Sequence, residues 1–445
     1  MFAKRSLLIT AVMMIILVPM LIINSCARKS VSRGKPATYV GAEKCRDCHE
    51  KLYEGWRSTM HPYKFMDALP ENVVADFDKN NTFTVGDYTT KMSKKGDEYF
   101  VTTIGREGKE DTYKVKYLIG SVWKQRFVTE FPNGGLHTLP VQWNALTSEW
   151  VDYHGLKEHK PGDGKYWSDK TMTYQFNCTG CHNTGSEFTY DPATDTYTGT
   201  KWSDKGVSCE ACHGPGSNHI HAEGEDLAKT IVNPAKIFDP RRAAMVCGQC
   251  HTRGKSTEKL FGFQNPEYPV GYKPGGTLNF LFAEKPGVNP DGGTSRQHHQ
   301  QYIDWEKSTH AQTGVKCWDC HYTHRQGTSN RYQTKLPGSL LCKNCHIDVA
   351  KHGVHGIHST NNCIGCHMAP AAKSATPGDI HNHSFKVMTP HETITLGKDQ
   401  PNSCNLCHYH KDDKPEDLAK VLDDIKSKGW SGKMERKAYK MQKGI

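Results

Sequence analysis

Sixteen of the seventeen cysteines in this 445-residue chain stand in one pattern, Cys-x-x-Cys-His, which occurs eight times. The runs are Cys45, Cys48 and His49; Cys178, Cys181 and His182; Cys209, Cys212 and His213; Cys247, Cys250 and His251; Cys317, Cys320 and His321; Cys342, Cys345 and His346; Cys363, Cys366 and His367; and Cys404, Cys407 and His408. Two cysteines three residues apart place both sulfurs on one side of a helical turn, where they can form thioethers with the vinyl groups of heme. The adjacent histidine then reaches the iron as proximal ligand. The pattern therefore predicts eight covalently bound c-type hemes.

Zinc sites and redox-active dithiols are the alternative readings of paired cysteines. A structural zinc ion takes four ligands, and its chemistry does not require a histidine directly after every cysteine pair. A dithiol likewise has no use for eight histidines at one fixed position. Only 36% of the residues are hydrophobic, so heme rings that fill the interior would explain how so polar a chain builds a core.

A second ligand on each iron decides between two function classes. A heme with two histidines has no open site and can only pass electrons, whereas a heme without the second ligand can bind a substrate. Of the 25 histidines, those outside the motifs are the candidates. We expect the distal ligands to be His61, His137, His219, His299, His310, His324, His358 and His383. The rivals of His137 and His299 are His298, His355, His352, His154 and His391. His352, His355 and His358 are spaced three apart, so they could share one helical face and substitute for each other.

Residues 1–25 are typical of an export signal. Two basic residues precede a nearly continuous apolar run over residues 7–23. This run contains Pro19 and is slightly short for a helix that spans a membrane, which favours the h-region of a signal peptide. An uncleaved anchor helix is the alternative.

The seventeenth cysteine, Cys26, follows the apolar run in a context that resembles a bacterial lipoprotein box. We expect Cys26 to be lipidated and to become the first residue of the mature chain. Ala27 favours the outer membrane by the same resemblance, and residues 26–38 are predicted to be a flexible tether. The chain is thus expected to be exported and lipid-anchored at the cell envelope, on its periplasmic face or at the cell surface.

The motifs are unevenly spaced, which divides the remaining chain into three parts. Residues 39–177 carry one motif and a β-rich insertion, residues 178–410 carry seven motifs, and residues 411–445 form a charged helix and tail. We expect a mostly α-helical and irregular fold with little regular secondary structure, plus a small antiparallel β insertion near residues 80–131.

Four β-branched and aromatic runs predict that insertion, namely residues 81–85, 99–104, 113–119 and 125–131. The insertion is expected to pack against the rest of the protein or to cover part of it. The alternative is that it forms a docking face. Residues 261–297 are rich in Gly and Pro and are predicted to form a long loop that either covers a heme edge or has no chemical role.

A helix is predicted to open at Pro415 and to end before Gly429. Its apolar stripe is expected to pack on the protein's own body, with a partner-binding helix as the alternative. The members of that stripe are Leu418, Val421, Leu422 and Ile425.

The chain resembles an octaheme c-type cytochrome of the superfamily that contains hydroxylamine oxidoreductase and its tetraheme electron acceptor. The similarity covers most of residues 39–410. Beyond the bare motif, it is carried by residues 39–61, 206–219, 308–321, 363–368 and 401–404. The resemblance implies heme c as cofactor, and either electron transfer or the oxidation or reduction of small nitrogen or sulfur compounds, because the superfamily contains both kinds of protein.

The formal net charge of +10 does not indicate nucleic-acid binding. Removal of residues 1–25, which hold Lys4, Arg5 and no acid, leaves +8. Eight hemes with ionised propionates would bring the total to about 0 when oxidised and about −8 when reduced. No interleaved basic and aromatic patch is present in the sequence to suggest a nucleic-acid surface.

The sequence therefore predicts an electron carrier at the cell envelope that serves anaerobic or extracellular respiration. Periplasmic or outer-membrane redox proteins are its expected partners, and the lipid anchor is its expected contact with the membrane. The alternative is an oxidoreductase of the nitrite, hydroxylamine or tetrathionate class with one open heme. All eight motifs end in histidine, which favours the carrier. Self-assembly into a conducting filament stays open.

Overall fold

Short helices are the main regular elements of the chain. The structure, a computed structural model, describes residues 35–428 apart from 80, 154–155, 329–330, 348, 350–352 and 358–361. The predicted signal, Cys26 and the tail from residue 429 lie outside the described residues. The described helices are α1 (Ala42–Arg57), α2 (Tyr174–Asn177), α3 (Thr179–His182), α4 (Cys209–His213), α5 (Pro240–Gly248), α6 (Gln301–Glu306), α7 (Thr309–Gln312), α8 (Cys317–Cys320), α9 (Leu340–Lys343), α10 (Cys363–His367), α11 (Pro390–Leu396) and α12 (Pro415–Lys428).

Two antiparallel sheets form the β-rich region between the first and second motifs. The four-stranded sheet has the order β2-β3-β4-β5, with β2 (Thr82–Val85), β3 (Tyr88–Lys95), β4 (Glu98–Ile104) and β5 (Glu110–Lys114). The five-stranded sheet has the order β1-β6-β7-β8-β9, with β1 (Met66–Asp67), β6 (Tyr117–Ile119), β7 (Lys124–Glu130), β8 (Leu136–Asn144) and β9 (Glu149–Asp152).

Three two-stranded antiparallel ladders lie further along the chain. They pair β10 (Asn183–Thr184) with β13 (Asp204–Lys205), β11 (Glu187–Asp191) with β12 (Thr196–Lys201), and β14 (Gly254–Ser256) with β15 (Phe282–Glu284). In the last of these ladders, a strand within the predicted loop of residues 261–297 pairs with the segment that follows the fourth motif.

The largest apolar cluster is aromatic and draws on both sheets of the β-rich region. Phe77 lies at its centre, with ring centroids 4.9 Å from Tyr99, 5.3 Å from Phe127 and 5.4 Å from Trp150. Side chains alternate along β4, where Tyr99, Val101 and Thr103 are buried, as expected of a strand with one covered face. This region therefore holds a packed core that needs no prosthetic group.

The prediction of a mostly helical and irregular chain with a small antiparallel β insertion is confirmed. The insertion extends further than predicted, to Asp152, and the single strand expected over residues 113–119 is divided between two sheets. The chain changes sheets between adjacent residues: Val115 N donates to Tyr99 O, whereas Lys116 N donates to Val128 O. Propensity cannot detect this change, because every residue from 113 to 119 remains extended.

The predicted C-terminal helix is present as α12. The helix begins at Pro415, and its residue Ile425 is fully buried. It packs against α11, and an ion pair joins His391 of α11 to Asp423 of α12, with Nε2 and Oδ2 3.0 Å apart. None of the helices within the described residues is both long enough and apolar enough to span a membrane.

Candidate heme sites

All eight motifs open onto one continuous cavity. Its volume is about 5250 Å³, and every motif cysteine and motif histidine lines it. A pocket for one drug-sized ligand measures about 300–1,000 Å³, so this cavity has room for several large prosthetic groups. The space and the donor set fit hemes attached through the paired cysteines.

Seven motifs include helical residues and the eighth, at Cys404, is a hydrogen-bonded turn, which gives the three side chains of a motif their common direction. The histidine N–H donates to the carbonyl of the first cysteine at the motifs of Cys178, Cys247, Cys317 and Cys342, with N···O distances of 2.9–3.1 Å. Residues three and four apart in such a turn lie on one face. The two sulfurs and the imidazole of a motif can therefore reach the same heme.

Five motif histidines face a second imidazole across the cavity. The pairs, with their ring-centroid separations, are His49 and His219 at 6.4 Å, His213 and His324 at 5.9 Å, His321 and His383 at 6.3 Å, His346 and His310 at 5.9 Å, and His367 and His355 at 6.3 Å. Two imidazoles that bind one metal from opposite sides hold their ring nitrogens about 2 Å from it and their centres about 6 Å apart. The five separations match this requirement.

Four predicted distal ligands, namely His219, His310, His324 and His383, belong to these pairs. The fifth partner is His355, a predicted rival that could substitute for His358. His154, His352 and His358 lie outside the described residues. His391, the remaining rival apart from His298, does not line the cavity, and its ring nitrogen is paired with Asp423.

His61 and His299 line the cavity without stacking on a motif histidine. Burial, with smaller contributions from the nearby Lys64, His251 and His324, lowers the pKa of His61 to about 3, so the ring is neutral, as an iron ligand must be. Burial also lowers the pKa of His299 well below its usual value, with Arg253 as the next cause. His299 already has a neighbour at each ring nitrogen: its Nδ1 lies 2.6 Å from Nδ1 of His298, and its Nε2 lies 3.4 Å from the guanidinium of Arg253.

His137 lies away from the cavity, inside the packing of the five-stranded sheet. Its Nδ1 lies 3.2 Å from the carbonyl oxygen of Trp167, and its ring stacks on Phe131 at 4.3 Å. The side chain is fully buried, and its Nε2 has no hydrogen-bond partner among the described residues. The structure does not bring this predicted ligand to a motif histidine, because Thr138, its neighbour on β8, takes the cavity-facing position.

Cysteines of different motifs lie close together, and this gives the motifs an order in space. The closest pairs are Cys45 and Cys209, Cys181 and Cys250, Cys247 and Cys317, and Cys342 and Cys363. Cys212 is near Cys250, Cys320 is near Cys345, and Cys366 is near Cys404. Numbered along the chain, the motifs form a row 1-3-4-5-6-7-8, and motif 2 joins the row beside motif 4.

Motif 2 is distinguished by the basic side chains that lie around its histidine. Within the described residues, no second imidazole stacks opposite His182, and the same holds for His251 and His408. Four cationic side chains lie around His182 instead, and they influence one another electrostatically: Lys64, Lys124, Arg126 and Arg253. None of the four forms an ion pair with a carboxylate in the described part of the chain. We call this group the motif 2 pocket.

Arg126 is held in the motif 2 pocket by two contacts. Its Nε donates to Oε1 of Gln142 at 3.0 Å, and its guanidinium lies 3.7 Å above the ring centre of Tyr153. The pairing of β7 with β8 shifts register between Arg126 and Val128, an irregularity of the kind that redirects a side chain. Burial raises the pKa of Tyr153 to about 12, although Arg126 opposes the shift.

Sequence reasoning missed the motif 2 pocket because its members come from distant segments. Lys64 follows the first motif, Lys124 and Arg126 lie on β7, and Arg253 follows the fourth motif. The predicted loop of residues 261–297 also reaches this region, since Glu267 lines the cavity and its N–H donates to Phe176 O. Isolated Lys and Arg residues carry no sequence signal of such convergence.

Comparisons with known proteins agree with this architecture. The family model "Cytochrome c554 and c-prime" matches residues 44–110 and 145–214. The chain is 25% identical to the dissimilatory sulfite reductase MccA of Wolinella succinogenes over 75% of its own length and 51% of that protein. It is 27% identical to the cytochrome c nitrite reductase subunit NrfA of Nitratidesulfovibrio vulgaris over 33% of each. The matches thus span between a third and a half of these curated relatives.

One solved structure has a similar fold over most of its length. The outer cell wall cytochrome OcwA superposes with a TM-score of 0.60 at 21% identity, and the similarity covers 86% of each chain. At this identity the likeness extends to the fold alone. The small antiparallel sheets and short helices described above are therefore an arrangement that this solved cytochrome also has.

Proposed function

We propose that this chain, a multiheme c-type cytochrome, attaches eight hemes and passes electrons along them at the cell envelope. The observation that carries the proposal is the single cavity lined by all eight motifs, with five motif histidines facing a second imidazole at 5.9–6.4 Å. Bound heme supplies one-electron chemistry without covalent change to a substrate. The resemblance to the hydroxylamine oxidoreductase superfamily stays a prediction.

The paired imidazoles support electron transfer over substrate chemistry at their motifs. The two histidines of each pair would hold the heme iron between them, and a heme held by two histidines would transfer electrons without binding a substrate. Burial lowers the pKa values of His213, His321 and His383, which keeps the rings neutral and able to bind. The side-by-side cysteines place neighbouring motifs close enough for a continuous row.

The anchor and the partners are further parts of the proposal. Cys26 is the proposed lipidation site, and the chain would face periplasmic or outer-membrane redox proteins while its lipid holds it to the outer membrane. The support is the sequence of residues 1–26, with its basic start, apolar run and closing cysteine. Replacing Cys26 with Ala should move the protein from the membrane to the soluble envelope fraction, and retention after alkali washing would favour an uncleaved helix.

Mass spectrometry and electron paramagnetic resonance together test the electron-transfer proposal. The denatured chain should carry the added mass of eight hemes, and the oxidised protein should give mainly low-spin ferric signals. A mass equal to six or fewer hemes would contradict the heme count. A dominant high-spin signal would contradict the paired ligands.

A second candidate function, reduction of a small nitrogen or sulfur compound, is favoured by the motif 2 pocket. His182 has no stacked imidazole opposite it among the described residues, and Lys64, Lys124, Arg126 and Arg253 face the same part of the cavity. Basic side chains without a carboxylate partner among the described residues attract an anion, although burial lowers the pKa of Lys64 and that of Lys124. Tyr153 and Glu267 also line this part and offer groups that can hold a proton.

Turnover with a reduced dye as electron donor separates the two candidates. The carrier alone should not consume nitrite, hydroxylamine, sulfite or tetrathionate, whereas an enzyme would oxidise the dye only when its substrate is present. Arg126→Gln removes one cation, and Arg106→Gln is a matched control because Arg106 pairs with Asp195 away from the cavity lining. A rate lost in the first variant and retained in the second would assign the chemistry to motif 2.

A further inference from the structure

In four of the eight motif histidines, Nδ1 faces a main-chain carbonyl. The Nδ1···O distances are 3.3 Å from His182 to Lys64, 2.7 Å from His213 to Val232, 2.8 Å from His321 to Tyr332 and 3.1 Å from His367 to Phe385. A histidine that binds a metal through Nε2 keeps its proton on Nδ1 and donates it to such an acceptor. This bond fixes the ring and raises its strength as a ligand.

The histidine of motif 4 has a side-chain acceptor instead. Nδ1 of His251 lies 3.2 Å from Oε1 of Gln301, the first residue of α6. Because Nδ1 is the donor, the amide presents its oxygen to the ring. A side-chain acceptor differs from a main-chain carbonyl in one respect that matters here: a single substitution can make it stronger, weaker or absent.

The position of Gln301 is fixed by the next residue of α6. Tyr302 N donates to the carbonyl oxygen of His251 at 3.0 Å, and the Tyr302 ring is buried. This ring packs so closely over Gly248 of the motif that a Cβ there would lie 2.8 Å from Cγ of Tyr302. The start of α6 is thus attached to motif 4 by its backbone as well as by the amide.

We propose that Gln301 is a positioning residue that sets the electron affinity of the motif 4 heme, an inference that rests on the proposed electron relay. A carboxylate at this position would accept a charge-assisted and stronger hydrogen bond, make the imidazole a stronger donor to iron and favour the oxidised state. An apolar side chain would have the opposite effect. Motif 4 adjoins motifs 2, 3 and 5. The electron affinity of its heme therefore decides how electrons divide between the row of motifs and motif 2.

Spectroelectrochemical titration of the full heme-loaded chain tests the inference with two substitutions. Gln301→Glu should lower the potential of one of the hemes by at least about 59 mV, which is a tenfold loss of electron affinity for one electron. Gln301→Met should shift the same heme in the opposite direction. Heme mass is measured first, so that only fully loaded variants are compared, and Gln301→Met decides alone if Gln301→Glu fails to load.

Gln249→Glu is the matched control, because it places the same charge within motif 4 without touching the ring. The Gln249 side chain donates to the carbonyls of Ala211 and Val246 at 2.9 and 2.8 Å. We expect Gln249→Glu to shift the heme potential by less than half as much as Gln301→Glu does. Equal shifts in both glutamate variants, shifts of one sign in both Gln301 variants, or no shift would overturn the inference. Failure of the relay itself would instead appear in the parent protein, as missing hemes or dominant high-spin iron.

Discussion

The β-rich region and the region of the seven later motifs are built on different principles. The first surrounds Phe77 with Tyr99, Phe127 and Trp150 and needs nothing else to fill its core. The second has only small apolar clusters, such as Ala244, Met245, Leu278, Tyr302, Trp305 and Ala311, around a cavity of about 5250 Å³. Such space must be filled for the region to be stable, because interiors are close-packed. The difference leads us to expect that the β-rich region is stable without heme, whereas the region of the later motifs depends on it.

Expression without heme attachment should give the largest effect. We expect residues 174–428 to lose their protection against proteolysis, while the two sheets of residues 66–152 stay resistant, because only the latter have a complete core of side chains. Limited proteolysis followed by mass spectrometry would locate the stable fragment. Equal digestion of both regions would show that the β-rich core also depends on heme.

A cavity in the aromatic core should have the next largest effect. Phe127→Ala removes a fully buried ring and should cost about 3–5 kcal/mol of unfolding free energy in the β-rich region, with heme spectra unchanged. Chemical denaturation followed by tryptophan fluorescence would measure the loss. Phe238→Ala is the control, because that side chain is fully exposed and should change stability little.

Two histidine substitutions sharpen the comparison at the level of single hemes. His219→Ala should open the iron of motif 1, so that one heme binds carbon monoxide after reduction, whereas His137→Ala should leave the heme spectrum unchanged and lower stability. The reason is that His219 faces His49 across the cavity and His137 packs on Phe131. Carbon monoxide binding to the second variant would show that His137 reaches an iron.

The smallest expected effect is a change in pH dependence at Asp304. Burial raises the pKa of this carboxyl to about 6, although Ser295 and the N–H of His383 lower it by hydrogen bonding. The folded state then holds its proton more tightly than the unfolded state, so stability should fall as pH rises from about 4 to about 6, by about 2–3 kcal/mol. Asp304→Asn should flatten that slope in denaturation curves measured across the window. A slope unchanged by Asp304→Asn would assign it to other groups.

Local signals in the sequence predicted the local features well. The Cys-x-x-Cys-His spacing shows each motif directly, and seven of the motifs include the helical residues that this spacing favours. Pro415 and the apolar stripe after it predicted α12 because capping and periodicity are properties of neighbouring residues. The antiparallel insertion was predicted for the same reason.

Features that depend on distant contacts were not predictable in this way. His219 faces a motif histidine 170 residues earlier, and His355 faces His367. Spacing cannot distinguish His355 from a histidine three residues away, since both would lie on one helical face. The motif 2 pocket likewise forms only when β7, the segment after motif 1 and the segment after motif 4 meet.

The side-by-side cysteines of different motifs also bear on how the protein is made. Cys45 lies beside Cys209, and Cys247 lies beside Cys317. In an oxidising compartment, thiols so close are prone to join as disulfides, and each such bond would remove one sulfur from two motifs at once. A chain that folded before its thioethers formed would therefore block its own maturation. We expect attachment to proceed while the thiols are kept reduced, so that loading precedes folding of residues 174–428.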